Sequence, residues 1–152
     1  PRGTAGALAD IAERETDPVL VMNGDILTRV SPRSLFEFHR EEDAAATMAV
    51  RSLRVDIPFG VVEMSGHRME SISEKPAINH YVSAGIYVLS ADALSLVPGD
   101  RAFDMPELLT AIHQRRAGSV ACFPVPEYWT DIGRMDDLAR ARDEYSVTFG
   151  SD

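Results

Sequence analysis

Cysteine, tryptophan and basic residues are scarce in this sequence of 152 residues. The single cysteine, Cys122, excludes an intramolecular disulfide and a cysteine-rich zinc site, and it agrees with a reducing, cytoplasmic location. Lysine and arginine total 15 against 24 aspartate and glutamate residues, a net charge of -9. Because such a surface repels phosphate backbones and anionic headgroups, we expect no nucleic-acid or membrane partner.

Long hydrophobic runs are also missing, since none approaches the length that spans a membrane. The composition is nevertheless 45% hydrophobic, which is enough to build the core of a globular domain. The first residue is Pro1, not Met, and a helical pattern follows almost at once. We therefore expect residues 1–152 to be the C-terminal portion of a single domain.

Apolar patterning alternates between strands and helices along the chain. The apolar run at 18–22 predicts a strand buried on both faces. Further strands are expected at 45–50, 58–64, 69–73, 81–89 and 120–125, and helices at about 5–15, 32–39, 91–97, 105–117 and 136–145. This alternation predicts an α/β fold with a mostly parallel sheet and a hairpin excursion, and ligands are expected beyond the carboxyl ends of the strands.

Helix starts are marked by capping residues. Thr4 and Ser31 are predicted N-caps, and Asp104 with Glu107 predicts a capping box. The four histidines show no metal-ligand spacing and are expected at the surface, whereas Cys122 is expected to be a small buried residue.

Two aspartates, each close to a glycine, are the strongest functional signal. Asn23-Gly24-Asp25 follows the apolar run and places Asp25 at a strand tip, and Trp129-Thr130-Asp131-Ile132-Gly133 contains the second acid. A carboxylate at the end of a buried strand is costly unless positive charge lies near it. Magnesium in nucleotide sites is held by one or two carboxylates together with substrate phosphates. We therefore predict that Asp25 and Asp131 hold one Mg²⁺.

Each of these motifs also has a plainer interpretation. Asn23-Gly24 is a common turn pair, after which Asp25 would act as a cap. Trp129 would be a core anchor and Asp131 a cap of the final helix. Gly85 indicates either a β-bulge or a close approach of ligand to backbone.

Two further segments carry polar groups suited to phosphate and sugar. Lys75 offers a mobile point charge for phosphate and Glu74 can accept hydrogen bonds from sugar hydroxyls, although an exposed charged turn explains both. The segment 3–6 (Gly-Thr-Ala-Gly) could place backbone N–H groups against a base or phosphate, and close packing explains it equally well.

The order of these motifs resembles that of the sugar-1-phosphate nucleotidyltransferases, such as glucose-1-phosphate thymidylyltransferase and mannose-1-phosphate guanylyltransferase. In chain order the motifs are Gly3-Thr4-Ala5-Gly6-Ala7-Leu8, Asn23-Gly24-Asp25, Phe59-Gly60-Val61-Val62-Glu63, Glu74-Lys75-Pro76, Ser83-Ala84-Gly85-Ile86-Tyr87, Asp104-Met105-Pro106 and Trp129-Thr130-Asp131-Ile132-Gly133. The resemblance implies a Rossmann-like, three-layer α/β/α fold. It also implies transfer of a nucleotidyl group from a nucleoside triphosphate to a sugar 1-phosphate, which yields a nucleotide sugar and pyrophosphate.

The resemblance further implies roles for individual residues. Asp25 and Asp131 would hold Mg²⁺, with Trp129 packed beneath the metal loop, while Lys75 would bind the sugar phosphate and Glu74 the ring hydroxyls. The remaining substrate-binding residues would be Gly24, Gly60, Ser83 and Gly85 near the sugar phosphate, and Gly3, Thr4, Ala5 and Gly6 at the nucleotide base.

The sequence departs from the family pattern at its start. The family's first strand, its Gly-rich loop with an arginine and its Pro-Lys-Pro segment are not in this sequence, and Ser83 stands where many relatives carry asparagine. We therefore expect the chain alone to be a poor catalyst and to self-associate through an exposed strand edge. The alternatives are a non-catalytic sugar-nucleotide-binding or regulatory module, and an α/β domain whose acids are structural.

Overall fold

The computed structural model describes residues 2–133 and 135–150. A 3₁₀ turn at Gly6–Leu8 leads into the first helix. The helices are α1 Ala9–Ala12, α2 Pro32–Glu41, α3 Ala91–Leu94, α4 Met105–Arg115 and α5 Met135–Phe149. The strands are β1 Val19–Met22, β2 Ile26–Thr28, β3 Ala46–Asp56, β4 Val61–Ser65, β5 Arg68–Ser73, β6 Ala77–Leu89, β7 Val120–Pro124 and β8 Trp129–Asp131.

The central sheet has four strands in the order β1-β6-β3-β7. Strand β6 is antiparallel to both β1 and β3, and β7 is parallel to β3. The α/β class is confirmed, but the sheet of this stretch is mixed and not mostly parallel. The reason is that the chain reverses through the β4–β5 hairpin after β3, and β6 returns beside β3 in the opposite direction.

Side chains on β6 alternate between two cores, one on each face of the sheet. Tyr87 and Leu89 pack with α1, α3 and α4, whereas Ile86 and Val88 pack with Leu35 of α2 on the other face. Successive strand side chains point to opposite faces, which explains how one strand serves both cores. Helices therefore cover both faces, as the three-layer α/β/α expectation requires.

Strand β1 differs from the strand expected at 18–22. Its first three residues are half-buried and Met22 is exposed, so the prediction of a strand buried on both faces is wrong. Within the described sheet β1 is an edge strand that pairs with β6 alone, and an edge strand retains solvent contact. The short strands β2 and β8 were not predicted, because three residues carry too little periodicity to be recognised.

Two of the three predicted helix caps are confirmed. The Ser31 hydroxyl accepts a hydrogen bond from Ser34 N at 3.3 Å, and Glu107 Oε2 accepts one from Asp104 N at 3.1 Å. Thr4 does not cap the first helix, because its Oγ1 accepts a hydrogen bond from Met105 N at 2.9 Å. The Thr4 side chain thus serves the start of α4 instead.

The β4–β5 hairpin forms around Gly66 as predicted, with Gly66 at φ +59. Its apolar side chains Met64, Met69 and Ile72 are 60–64% exposed. A two-stranded hairpin has little stability on its own, so the hairpin depends on its continuity with β3 and β6. Self-association of the chain stays a prediction.

Two side chains are placed differently from the sequence expectation. Cys122 is exposed, because it lies on the edge strand β7. His39 is buried, with its Nδ1 2.9 Å from Thr47 Oγ1 between α2 and β3. No helix of the described residues is long and apolar enough to cross a membrane.

Burial of His39 makes stability depend on pH. Loss of solvation, followed by the charge of Arg40, lowers the pKa of His39 below its ordinary value of 6.5. The unfolded chain therefore binds a proton first, and the stability that the neutral imidazole contributes is present above pH 6.5 and lost as pH falls below it. We expect His39→Gln to flatten the fall in urea-unfolding free energy between pH 7.5 and about 5.5.

The matched control is His113→Gln, which alters an exposed histidine on α4. Its pH profile of unfolding is the reference with which the profile of His39→Gln is compared. An identical pH profile in wild type and His39→Gln would show that His39 does not contribute to this dependence.

Candidate active site

A short antiparallel pairing between β2 and β8 brings the two predicted metal ligands together. Ile26 lies opposite Asp131 in this ladder, and Ile132 N donates to Asp25 O at 2.8 Å. Residues 25 and 131 are 106 positions apart in the sequence, yet they flank the same end of one two-stranded sheet. The predicted convergence of Asp25 and Asp131 is therefore present in the fold.

Gly133 marks the volume that the two carboxylates share. An ideal Cβ built on Gly133 would lie 3.1 Å from Asp131 Oδ1 and 3.1 Å from Asp25 Oδ2. The two oxygens are thus separated by no more than twice that distance, and both face the space that the glycine leaves open. Asp131 Oδ1 also accepts a hydrogen bond from Gly133 N at 2.8 Å, which holds this carboxylate in a turn.

The chemistry of this pair suits a hard divalent cation. Both aspartates are exposed, and like charges so close repel one another unless a cation lies between them. Among residues 2–133 and 135–150, no group of three or more His, Cys, Asp or Glu side chains could hold a metal ion. Two carboxylates with open positions resemble a Mg²⁺ site completed by water and substrate phosphates more than an all-protein cage.

Trp129 anchors β8 to the central sheet. Its Nε1 donates to Ala84 O at 2.8 Å, and its half-buried ring packs on the core that also contains Leu35 and Ile86. The indole therefore acts as a core anchor and at the same time fixes the strand that carries Asp131. The alternative of Asp131 as a helix cap is not favoured, because its carboxylate turns to Gly133 N and α5 begins only at Met135.

Gly85 lies in a β-bulge beside the loop that leads to Asp25. The pairing of β3 with β6 shifts register here, and Gly85 adopts φ +70. Asn23 N donates to Gly85 O at 2.9 Å, and a Cβ on Gly85 would lie 2.8 Å from Asn23 Nδ2. Gly85 thus lies in a β-bulge, and the group that approaches it closely is the Asn23 side chain. Ser83 Oγ lies 2.8 Å from Tyr87 Oη in the same bulge.

Gly60, Glu74 and Lys75 form a second group at the base of the β4–β5 hairpin. A Cβ on Gly60 would lie 3.2 Å from Glu74 Oε2, so the glycine lets the carboxylate lie against the backbone. Lys75 is the only lysine in the sequence and adopts φ +44, which a residue with a side chain seldom does. Strained residues of this kind concentrate where function holds the backbone in place.

Strand β6 connects the hairpin group of Gly60, Glu74 and Lys75 to the bulge that contains Ser83 and Gly85. Lys75 precedes the strand and Ser83 lies within it, and six residues of extended strand from Ala77 span about 20 Å. Gly24 precedes Asp25 and is exposed, with no atom within 4 Å of a Cβ placed there.

The predicted base-binding segment is packed against the start of α4. Gly3 adopts φ +77, with Phe103 O 2.5 Å from the position of its absent Cβ, and Thr4 N donates to Asp104 Oδ1 at 2.8 Å. Ala5 and Gly6 are buried. Close packing therefore accounts for these small residues, and a ligand could reach the segment through Gly3 and Thr4.

A cavity of about 590 Å³ lies at the opposite end of the central sheet. It is lined by Asp43, Asp92, Arg115 and Arg116 among others, and Arg116 donates to Asp43 O at 2.7 Å. Its two aspartates and two arginines balance in charge, and Arg116 is engaged with Asp43. The paired carboxylates at the other end are better placed to bind an anion through a cation.

Comparison with known proteins assigns the family. A family model described as nucleotidyl transferase matches residues 1–147. The chain belongs to the nucleotidyl transferase family. This match includes every residue that the sequence singled out as a site candidate.

The relatives agree on the type of sugar nucleotide chemistry. A Sulfolobus acidocaldarius protein assigned as a mannose-1-phosphate guanyltransferase is 32% identical over 91% of this chain and 39% of its own length. Mannose-1-phosphate guanylyltransferase 1 of Arabidopsis thaliana is 29% identical over 90% of this chain and 40% of its own length. The chain thus spans about two fifths of the length of these curated relatives.

Solved structures of similar proteins share the fold. A Bacillus anthracis protein assigned as a glucose-1-phosphate thymidylyltransferase superposes with a TM-score of 0.66 at 26% identity, over 93% of this chain and 60% of that one. HddC from Yersinia pseudotuberculosis superposes with a TM-score of 0.65 at 23% identity, over 95% of this chain and 63% of that one. The Rossmann-like α/β expectation is therefore confirmed.

Two residues of this candidate site were missed by the sequence analysis. Gly133 was recognised only as the end of a motif, whereas its missing side chain leaves the volume between the carboxylates. Arg51 contacts Trp129 from β3, with its guanidinium carbon 5.8 Å from the ring centroid. A single arginine directly after the apolar run 45–50 is the signal that could have revealed it.

Close packing at Gly85 predicts an asymmetry between two glycine substitutions. Gly85 and Gly66 have similar positive φ angles. Gly85→Ala places a methyl group against Asn23, whereas the methyl group of Gly66→Ala meets no atom within 4 Å. Both variants force alanine into a backbone conformation that favours glycine, and Gly85→Ala also crowds the Asn23 side chain. Gly85→Ala should therefore lower the free energy of unfolding by about 1 kcal/mol more than Gly66→Ala does. Urea unfolding of the two variants measures the difference. Equal losses would mean that Asn23 moves aside without cost.

Proposed function

We propose that this chain forms the metal site and part of the sugar 1-phosphate site of a sugar-1-phosphate nucleotidyltransferase. In this reaction an oxygen of the sugar 1-phosphate attacks the α-phosphorus of a nucleoside triphosphate. The bond from the α-phosphorus to the bridging oxygen breaks, and pyrophosphate leaves. The convergence of Asp25 and Asp131 on the space above Gly133 is the observation that carries the proposal.

The residues of the chain act by binding and positioning. Asp25 and Asp131 would hold Mg²⁺, which supplies positive charge to orient the phosphates and to offset charge developing in the transition state. Lys75 contributes a second positive charge for the phosphate of the sugar, and Glu74 accepts hydrogen bonds from ring hydroxyls. Little proton transfer is needed, so positioning supplies most of the rate enhancement.

The relatives indicate the chemical class of the ligands. Their names specify mannose 1-phosphate with guanylyl transfer or glucose 1-phosphate with thymidylyl transfer. For this chain we propose a hexose 1-phosphate and a nucleoside triphosphate, in a cytoplasmic setting. Lys75 and Glu74 at the hairpin base recognise phosphate and hydroxyl groups, which all such sugars share.

Removal of either carboxylate should weaken metal-dependent binding of a nucleotide sugar. Isothermal titration of GDP-mannose and dTDP-glucose with Mg²⁺ measures this for wild type, Asp25→Asn and Asp131→Asn. Substitution of a residue that hydrogen-bonds to a metal ligand typically lowers metal affinity by about 10- to 100-fold. Substitution of a direct ligand should lower it by at least as much. Asp100→Asn makes the same charge change on an exposed loop and should bind as the wild type does.

The proposal fails if neither nucleotide sugar binds, or if both aspartate variants bind as tightly as the wild type. Catalysis is assessed separately, on the product of the whole reading frame, by release of pyrophosphate. Metal-dependent binding without pyrophosphate release there would favour the non-catalytic module.

A methyl group at residue 133 should occupy the space between the two carboxylates in which we propose that the cation binds. Gly133→Ala would place its Cβ 3.1 Å from one oxygen of each aspartate, which is tighter than ordinary contact. We expect Mn²⁺ affinity, measured by electron paramagnetic resonance, to fall by about tenfold while both carboxylates remain. Gly99→Ala, which meets no atom within 4 Å, is the control. Unchanged affinity in Gly133→Ala would place the cation elsewhere.

A further inference from the structure

Arg51 connects the central sheet to the strand that carries Asp131. Its Nη1 lies 3.2 Å from Glu127 O and 3.4 Å from Trp129 O, and donates to both. Its guanidinium carbon lies 5.8 Å from the centre of the Trp129 ring. Because Arg51 pairs with Val82 in the β3–β6 ladder, its backbone is fixed by the rigid part of the molecule.

These contacts join one charged donor to two carbonyl oxygens and to an aromatic ring. Hydrogen bonds from a charged donor to carbonyl oxygens are stronger than hydrogen bonds between neutral groups, and a cation near an indole ring adds further attraction.

The strand that Arg51 binds is short, and the preceding residue Tyr128 is held through its carbonyl oxygen by Thr28 Oγ1 and Arg29 N. Strand β8 has three residues and pairs with β2 alone, itself a strand of three residues. Trp129, two residues before Asp131, is held on one side by Ala84 O and on the other by Arg51. Loss of the arginine removes the attachment of residues 127 and 129 to β3, and we expect Asp131 then to shift relative to Asp25.

We propose that Arg51 is a positioning residue for the metal site, which holds Trp129 so that Asp131 faces Asp25. The inference rests on the proposed function, since it assigns Arg51 to the cation site described there. Arg51 does not contact the cation or the substrate. It acts through the main chain of residues 127–129.

The test compares Arg51→Met, Arg51→Lys and Arg33→Met in Mn²⁺ titrations followed by electron paramagnetic resonance. Arg51→Met retains the apolar stem and loses the charge, and its Mn²⁺ affinity should fall about tenfold, as for other groups that orient metal ligands. Arg51→Lys keeps the charge without the planar fork and should bind more weakly than wild type and more tightly than Arg51→Met. Arg33→Met alters an exposed arginine of α2 and is the control, which should leave the Mn²⁺ affinity unchanged.

Tryptophan fluorescence supplies a readout that separates positioning from general loss of structure. Trp129 is the only tryptophan, so its emission reports the environment that Arg51 shapes. We expect a changed emission maximum in Arg51→Met with the circular dichroism spectrum of the wild type. Should Arg51→Met not fold, Arg51→Lys decides: weaker Mn²⁺ binding at wild-type helicity supports the proposal, and wild-type affinity overturns it.

The remaining outcomes are distinguishable. Wild-type Mn²⁺ affinity in a folded Arg51→Met, with affinity lost in Asp25→Asn, overturns the role of Arg51 and leaves the metal site intact. Absence of Mn²⁺ binding by the wild type itself overturns the metal site and the role of Arg51 together.

Discussion

The antiparallel pairing of β2 with β8 is the constraint on which the candidate site depends. Three residue pairs form this ladder, and each cross-strand pair contributes only a fraction of a kcal/mol to about 1 kcal/mol. So short a ladder does not place two repelling carboxylates by itself. The indole of Trp129 on Ala84 and the guanidinium of Arg51 on two carbonyls supply the additional attachment.

The mixed topology of the sheet explains where these attachments originate. Strand β6 lies between β1 and β3, so its bulge at Gly85 lies beside Asn23 on one side and its Ala84 carbonyl is available to Trp129. The loop that ends in Asp25 and the strand that ends in Asp131 are thus both attached to the same part of β6. One strand positions both aspartates, although neither aspartate belongs to it.

Glycine has two distinct uses in this arrangement. At Gly85 a positive φ and the contact with Asn23 make a side chain costly, and the consequence is local packing. At Gly133 the missing side chain leaves a volume that both carboxylates face, and the consequence is room for a ligand. The sequence shows two glycines in motifs, and only the neighbours in space separate the two uses.

Much of the fold follows from local sequence chemistry. Ser31 with Pro32, and Asp104 with Glu107, specify helix starts through hydrogen bonds within a few residues, and the structure has them as predicted. Strand direction and burial depend on distant partners instead, so β1 and the orientation of β6 were misjudged. His39 was misjudged for the same reason, because Thr47 becomes its neighbour only after β3 packs on α2.

The candidate site was predicted in part. The pairing of acid and glycine in two motifs singled out Asp25 and Asp131, and the fold brings them to one volume. The contribution of Arg51 was not evident, because a contact between residues 78 positions apart leaves no local pattern. Thr4 shows the converse, since its capping chemistry was recognised correctly but assigned to the wrong helix.

A crystal structure of this chain soaked with Mn²⁺, with data collected at the manganese edge, tests the central claim most directly. The account predicts an anomalous peak at coordination distance from a carboxylate oxygen of Asp25 and one of Asp131, in the space beside Gly133. A peak bound to only one of these aspartates, or a Mn²⁺ site elsewhere with none between them, would contradict it.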